Sequence, residues 1–512
     1  MARRFILKKT FEFGLSTLLS RILGLIREAV QIRYLGVGVL SDAFIAAYKL
    51  PNFLRRIFAE GALSAAFVPE LVKLIRKKER KAVDGLMTSS FLFFEGIVLL
   101  ICLFVVIFPQ VIITIFTPGF SGEQVEYAIP LLRILISLIF FLSSSALLGG
   151  ALHSVNHFFI TAFGPAIMNI VYILTLILCI FYKLPVSYLA FGVLLAGAIN
   201  FLMHLIIFFL YKFTFRKIIP ESVKSFKSVL GKFLPCLFGV GVVELNLLID
   251  GQISSFLPKG TYTILYYGQR FMNIPLGMFA VAFSTVLLPH FSRVFLYAPR
   301  RMNLYLVEVV KFITWVILPA IFFLCFTAEK LFSHLLTKYP QNVDEAAVIL
   351  IIYSIGLIFF CINKVLNNMY YAMKDTRTPT IMSAMATGVN IVFNIAGMYF
   401  FGSYGIAAAT TISGFVLTGL LIYYLQEKYD IKFHVKRFLI FSYSYLIHLL
   451  VGMFFFVSLH KLACYLFSLF NFYFFFCVGM GYWIFTIPLF ILTMVFMFYI
   501  KKLFKLKVYF LD

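Results

Sequence analysis

Acidic side chains are scarce: 21 Asp and Glu stand against 44 Lys and Arg, and charged residues of both signs make up only 13% of the 512. A soluble domain of this size needs a polar exterior, and these residues are too few to build one. Tryptophan is nearly missing, at 2 residues. The 7 cysteines (Cys102, Cys179, Cys236, Cys325, Cys361, Cys464, Cys477) are scattered through apolar stretches with no C-x-x-C. They read as small core residues and exclude a disulfide framework or thiolate metal centre. The 8 histidines form no H-E-x-x-H. No phosphate-cradling G-x-x-x-x-G-K-[ST] loop and no G-x-S-x-G elbow occurs, so ATP hydrolysis and serine-nucleophile chemistry have no motif here.

What the chain has instead is apolar surface: 62% hydrophobic residues, 64 of them Phe, and a mean hydropathy of +0.99. Lipid must solvate much of that exterior, and the Phe excess reads as lipid-facing bulk. The net charge of +23 suggests nucleic acid in a soluble protein. In a membrane protein it marks cytoplasmic loops, so no nucleic-acid partner is expected. The basic, then apolar N-terminus lacks a small-residue cleavage site and reads as a retained first helix.

A spanning helix needs about 20 mostly apolar residues. The fold class expected is therefore an all-α polytopic membrane protein of fourteen spans. They fall near 14–36, 42–70, 86–115, 128–152, 160–182, 187–211, 230–256, 262–290, 304–328, 346–372, 379–400, 404–426, 438–460 and 474–500. The first, second and eighth are the least apolar. With a cytoplasmic N-terminus, the inside segments collect the basic runs, such as Lys73 to Lys81, Lys212 to Lys227 and Lys501 to Lys507. The outside segments hold only Lys183, Lys259, Lys330, Lys338 and Lys461. Shifting the count by one reverses this bias for every later loop, so both termini are expected inside.

A faint repeat runs through the chain. A-L-S-A-A-F-V-P at 62–69 echoes A-F-S-T-V-L-L-P at 282–289, and P-A-I-M-N at 165–169 echoes P-T-I-M-S at 379–383. Both echoes are six spans apart, and an even offset preserves direction through the membrane. The expected lobes are 1–212 and 213–428, six helices each and pseudo-symmetric, followed by two C-terminal helices with a basic cytoplasmic tail in 429–512.

Basic residues also lie within the spans: Arg21, Arg27, Arg33, Lys49, Arg55, Arg56, Arg133, Arg270, Lys311 and Lys364. Each costs roughly 2.5–3.5 kcal/mol at a helix centre and so faces a cavity or a partner. Arg33, Arg133 and Lys311, near helix ends, fit snorkelling. The nearby acids Glu28, Asp42 and Glu60 are fewer than the bases, so a cavity with surplus positive charge and an anionic ligand follows. Spacing lets Arg21 pair with Glu28, seven residues on, and Arg56 with Glu60, four on. Arg27, Arg55 and Arg270 are then the leading candidates for the anion, since the guanidinium fork matches phosphate in two parallel hydrogen bonds. Later spans carry Glu244, Asp250, Asn390, Asn394 and Thr410. Asn390 and Asn394 share a helix face, and oxygen ligands of this kind suit a hard cation such as Na+. The alternative is ordinary hydrogen bonding between helices.

S-R-I-L-G-L-I-R-E at 20–28, S-D-A-F at 41–44 and K-L-P-N-F-L-R-R-I-F-A-E-G-A at 49–62 resemble the MurJ/MviN family of lipid II flippases. T-P-G-F at 117–120, Y-Y-G-Q-R at 266–270 and K-D-T-R-T-P at 374–379 follow in the family's order. The resemblance covers roughly 10–430. It implies two six-helix lobes alternating access around a central cavity, in the multidrug/oligosaccharidyl-lipid/polysaccharide exporter superfamily. It also implies substrate-binding roles for Arg21, Arg27, Arg55 and Arg270, with Asp42 the matching acid and Thr263 where a small hydroxyl residue is typical. Glu60, Lys49 and Lys364 are further candidates. Asn273 stands where some members carry an acid, which weakens any acid role there. A sodium site at Asp250, Asn390, Asn394 and Thr410 matches more loosely.

The function expected from the resemblance is transport, not enzymatic catalysis. Lipid II, an undecaprenyl-diphosphate-linked disaccharide-peptide, would cross from the cytoplasmic to the outer leaflet of a bacterial inner membrane through a monomer surrounded by membrane lipids. A flippase for another polyprenyl-linked glycan shares the same physics. A drug or cation antiporter wants an acidic cavity, a glycosyltransferase or ligase wants a long outside loop with catalytic acids, and a scaffold needs no intramembrane arginines.

Overall fold

A computed structural model of the chain describes residues 2–58, 62–155, 157–470, 472–479 and 481–511, with side chains except at 2–18, 57–58, 62, 64–65, 234–247, 281–282 and 285–286. Among the described residues all regular structure is helical. The first half runs α1 Ala2–Leu35, α2 Val39–Phe58, α3 Ala62–Arg76, α4 Arg80–Ile107, α5 Pro109–Phe116, α6 Gly122–Leu135, α7 Leu138–Ser154, α8 Phe159–Phe181, α9 Val186–Leu210 and α10 Pro220–Ser254. The second half continues with α11 Thr261–Pro275, a π-helical turn Leu276–Val281, α12 Ala282–Tyr297, α13 Met302–Leu335, α14 Val343–Ala372, α15 Arg377–Phe401, α16 Ser403–Tyr429, α17 Val435–Leu469 and α18 Gly481–Ile500.

Ten of these segments, among the described residues, are long and apolar enough to cross a membrane. The other four expected spans fall on α1, on α2 with α3, on α10, and on α11 with its π turn and α12. The expected low rank of the first, second and eighth spans has a plain cause. α1 carries Arg21, Arg27, Glu28 and Arg33, and α2 carries Asp42, Lys49, Arg55 and Arg56. The seventh span joins them.

Two compact units divide the chain, Met1–Thr263 and Ile264–Asp512. In the first, α10 packs on α2, α3 and α4. This unit's apolar cores centre on Phe44, Leu132, Tyr172 and Leu189, and on Phe67, Leu86, Phe94, Leu147 and Phe208. In the second unit α14 packs on α12, α13 and α16, and α17 on α13 and α18. Trp315, Phe441, Tyr445 and Met497 fill the α13–α17–α18 contact. Lipid-facing bulk is only part of what phenylalanine does here. Phe44, Phe67, Phe94, Phe208, Phe291 and Phe456 are among the largest fully buried side chains. Edge-to-face ring pairs such as Phe94–Phe233 (4.9 Å) explain why: aromatic rings pack well without polar partners.

Local chemistry sets the breaks. Pro109 opens α5 where its missing N–H costs nothing. Ser121 starts α6 with a capping box. Its hydroxyl accepts from the Gln124 N–H and the Gln124 side chain accepts from its own N–H. Gly402, at φ +59°, makes the tight turn between α15 and α16.

Candidate functional site

Three clusters form in the first unit from residues that the sequence singles out. In the first, the buried Arg27 meets Glu28 in an ion pair. Glu28 thus meets its chain neighbour on α1. The Arg27 guanidinium also lies 5.1 Å from the centre of the Tyr172 ring of α8, a cation–π contact. The Tyr172 hydroxyl donates to Gln31 Oε1 at 2.7 Å. Carboxylate, ring and amide together fix the plane of the Arg27 fork.

The second cluster surrounds Asp42, which is fully buried. Its Oδ2 accepts from Gln124 Nε2 (2.9 Å) and from the Gly260 N–H (2.7 Å). Its Oδ1 accepts from the Thr263 N–H (3.0 Å) and from Thr263 Oγ1 (2.5 Å). The Gly260 and Thr263 N–H groups lie at the start of α11, where a carboxylate is favoured by both hydrogen bonding and the helix dipole. Asp42 and Thr263 thus come together, Thr263 donating twice and Asp42 accepting. Gln124 is a partner that sequence reasoning missed, since nothing in spacing joins positions 82 residues apart.

In the third, Lys49 places its ammonium 4.1 Å from the centre of the Tyr262 ring, next to Thr263. α10 passes so near that a Cβ on Gly251 would sit 3.4 Å from Lys49 Nζ.

The remaining candidates are spread more widely. Arg55 Nε donates to Asn52 Oδ1 at 3.4 Å. Arg21 is half-buried on α1, and Arg270 and Lys364 are exposed on α11 and α14. Glu60, and with it the expected Arg56–Glu60 pair, lies outside the described residues, as does the side chain of Glu244. Arg133 donates to the Val106 carbonyl at 3.3 Å, and Lys311 pairs with Glu308 at 2.8 Å, so both serve structure. Asp250 is on α10 of the first unit. Asn390, Asn394 and Thr410 are buried on α15 and α16 of the second. Asn394 Nδ2 donates to Asn390 Oδ1 at 2.8 Å, and the Thr410 hydroxyl donates to the Ile406 carbonyl at 3.1 Å. Among the described residues no three His, Cys, Asp or Glu side chains gather as a metal cluster.

The family described as lipid II flippase MurJ matches residues 32–480. A probable lipid II flippase MurJ of Vibrio cholerae is 31% identical over 449 residues, covering 83% of this chain and 85% of that protein. A solved structure described as lipid II flippase MurJ in an inward closed conformation superposes with a TM-score of 0.78 at 28% identity, covering 96% of this chain and 99% of that one. An inward-facing multidrug resistance transporter of the MATE family in the MOP superfamily shares the fold alone, with a TM-score of 0.66 at 15% identity, over 80% of this chain and 94% of that one. A multi-pass helical chain with this match across most of its length belongs to the lipid II flippase MurJ family.

Proposed function

We propose that this chain is a lipid II flippase, a transporter that carries undecaprenyl-diphosphate-linked disaccharide-peptide from the cytoplasmic to the outer leaflet. The observation that carries the reading is the family match over residues 32–480. The chemistry fits it. A diphosphate crossing a low-dielectric layer needs fixed counter-charge, and intramembrane arginines supply it with bidentate geometry. Arg21, Arg27, Arg55 and Arg270 are proposed to bind the diphosphate, with Lys49 and Lys364 as further basic groups. The lipid tail stays in the membrane while the two lobes alternate access.

The polar neighbours refine this assignment. Glu28, Tyr172 and Gln31 hold Arg27 in one orientation, so little side-chain entropy is lost on binding. Asp42 and Thr263 occupy each other's hydrogen-bonding capacity, so their part is to hold the start of α11, on which Arg270 lies two turns beyond Thr263. Sodium coupling is proposed at Asn390, Asn394 and Thr410. Their amide and hydroxyl oxygens are of the type a hard monovalent cation takes, and the Asp250 carboxylate is proposed as the fourth ligand. A bacterial inner-membrane location, cytoplasmic termini and a monomeric working state complete the reading.

Complementation tests it in cells depleted of their own lipid II flippase, scoring lipid II on the outer leaflet. The chain is expected to restore exposure, and Arg27→Ala and Arg270→Ala to lose at least tenfold in flipping, about 1.4 kcal/mol, while inserting normally. Full activity in both variants at normal levels would remove the arginine cavity. Failure of the inserted parent chain would move the substrate to another polyprenyl-linked glycan.

A further inference from the structure

Glu95 interrupts the apolar run F-L-F-F-E-G-I-V-L-L near the middle of the 28-residue α4. It is 2% exposed. Ser143 Oγ of α7 lies 2.8 and 2.6 Å from its two carboxyl oxygens and 3.3 Å from the Phe140 carbonyl oxygen. Ser144, the next residue, is fully buried. It interacts with the carboxyl, yet its hydroxyl has no hydrogen-bond partner at normal length.

Among the described residues, charged and titratable groups on the packed elements have partners of their own. On α3 and α10, Glu70 and Lys232 pair with each other at 2.6 Å. On α6, Arg133 turns to the Val106 carbonyl. α5 has no titratable side chain. On α7, His153 lies 2.8 Å from Thr161 Oγ1. On α4 itself, Cys102 approaches the Ile136 carbonyl at 3.5 Å. Among the described residues, neither carboxyl oxygen of Glu95 meets a Lys, Arg or His.

Proton counting then decides the form of the carboxyl. A serine hydroxyl has one proton. If Glu95 were ionised, Ser143 would serve one oxygen and leave the other with no donor, a buried charge that a membrane interior penalises heavily. A neutral acid leaves no buried charge. Its O–H donates to Ser143 Oγ, and the Ser143 proton goes to the Phe140 carbonyl.

We propose that Glu95, Ser143 and Ser144 form an intramembrane proton-binding site in the first unit, occupied in this state. Its ligand is a single proton exchanged with water. Releasing that proton leaves one negative charge on the carboxyl. Ser143 then turns its hydroxyl toward the charge, and Ser144 is the donor held in reserve, reaching the carboxyl by a shift of α7 against α4. Proton occupancy is thereby tied to the α4–α7 contact.

Infrared spectroscopy of the full chain in lipid vesicles tests this without any transport assay. At about pH 7 the wild type should show a carboxylic acid carbonyl stretch that Glu95→Gln lacks. Loss of a carboxylate stretch instead would overturn the proposal. Ser144→Ala keeps the carboxyl, so it tests the site even if Glu95→Gln fails to fold. Removing the reserve donor should raise the pH at which the acid band disappears by on the order of one unit, and an unchanged midpoint would overturn the site as drawn. Replacing N-methylglucamine chloride by sodium chloride at fixed pH should leave the band intact. Its loss in sodium would make this a metal-cation site and refute the proton reading.

Discussion

Asp375 organises the junction between two helices because four donors converge on it. Its Oδ1 accepts from the Thr378 N–H at 3.0 Å, and its Oδ2 from Thr378 Oγ1 (2.6 Å), Lys428 Nζ (2.7 Å) and the Tyr429 hydroxyl (2.9 Å). It caps the first turn of α15 and ties it to the end of α16. Burial alone would raise its pKa, but the bonds from Lys428, Thr378 and Tyr429 outweigh burial and hold the carboxyl well below the usual range. A depressed folded pKa means the stabilisation is complete above the unfolded value of about 3.9 and is lost as pH falls toward the folded one. Asp375→Ala should therefore cost about 1 kcal/mol at neutral pH, seen as a lower thermal midpoint in detergent. The gap from wild type should narrow below about pH 4, and a gap that stays constant there would refute the charged cap. The sequence marks Asp375 within K-D-T-R-T-P but not its partner Lys428, 53 residues away. The same limit applies at the candidate site. Arg27 and Asp42 were legible as charges in apolar surroundings. That Glu28 bends to its neighbour, and that Asp42 takes neutral donors 82 and 218 residues away, depends on which helices pack together. Glu95 was open to the same reasoning as a single acid inside an apolar span, but attention to surplus positive charge passes over it.

The α15–α16 hairpin depends on two glycines. A Cβ on Gly405 would overlap the Gly397 carbonyl, and one on Gly397 would come within 2.8 Å of the Gly405 oxygen. Both obstacles are backbone, which cannot rotate away, so the helices cross as closely as their main chains allow. Gly405→Ala should destabilise by about 1–3 kcal/mol. Gly388→Ala on α15 has nothing within 4 Å of the added Cβ and should be neutral or stabilising by up to about 1 kcal/mol through helix propensity. Thermal midpoints of the purified variants compare them, and equal midpoints would mean that the helices do not approach this closely. Hydropathy located such helices well because it reports contact with lipid. It missed their interruptions for the same reason. The expected span 86–115 divides at Phe108 into α4 and α5, and 128–152 divides after Leu135 into α6 and α7, yet Ser137 is the one polar residue in the two breaks. Pro109 was the one local signal, since proline opens a helix more readily than it continues one.

At the scale of the whole molecule, contacts inside the first unit bear on how many helices cross the membrane. Asp42 bonds to Gln124 and Gly260, and Lys259 pairs with Glu123 at 2.5 Å. The short segments near residues 42, 123 and 260 therefore sit at one end of this unit. The middle one follows the span Arg80–Ile107, whose other end adjoins the basic run from Lys73 to Lys81. The positive-inside rule puts that run in the cytoplasm and residue 123 outside. Lys259 is then expected outside as well, which requires α10 to cross from the basic segment 212–229, although hydropathy does not count it. Counting only the ten apolar spans would leave Lys259 in the cytoplasm, so this residue separates the two topologies. Lys259→Cys removes an exposed ion pair worth about 0–1 kcal/mol, so the fold should survive. In spheroplasts a membrane-impermeant maleimide should label Lys259→Cys above the background of the unsubstituted protein, and should label Lys224→Cys only after permeabilisation. Labelling of Lys259→Cys only after permeabilisation would mean that α10 does not cross, and the fourteen-span topology would fall with it.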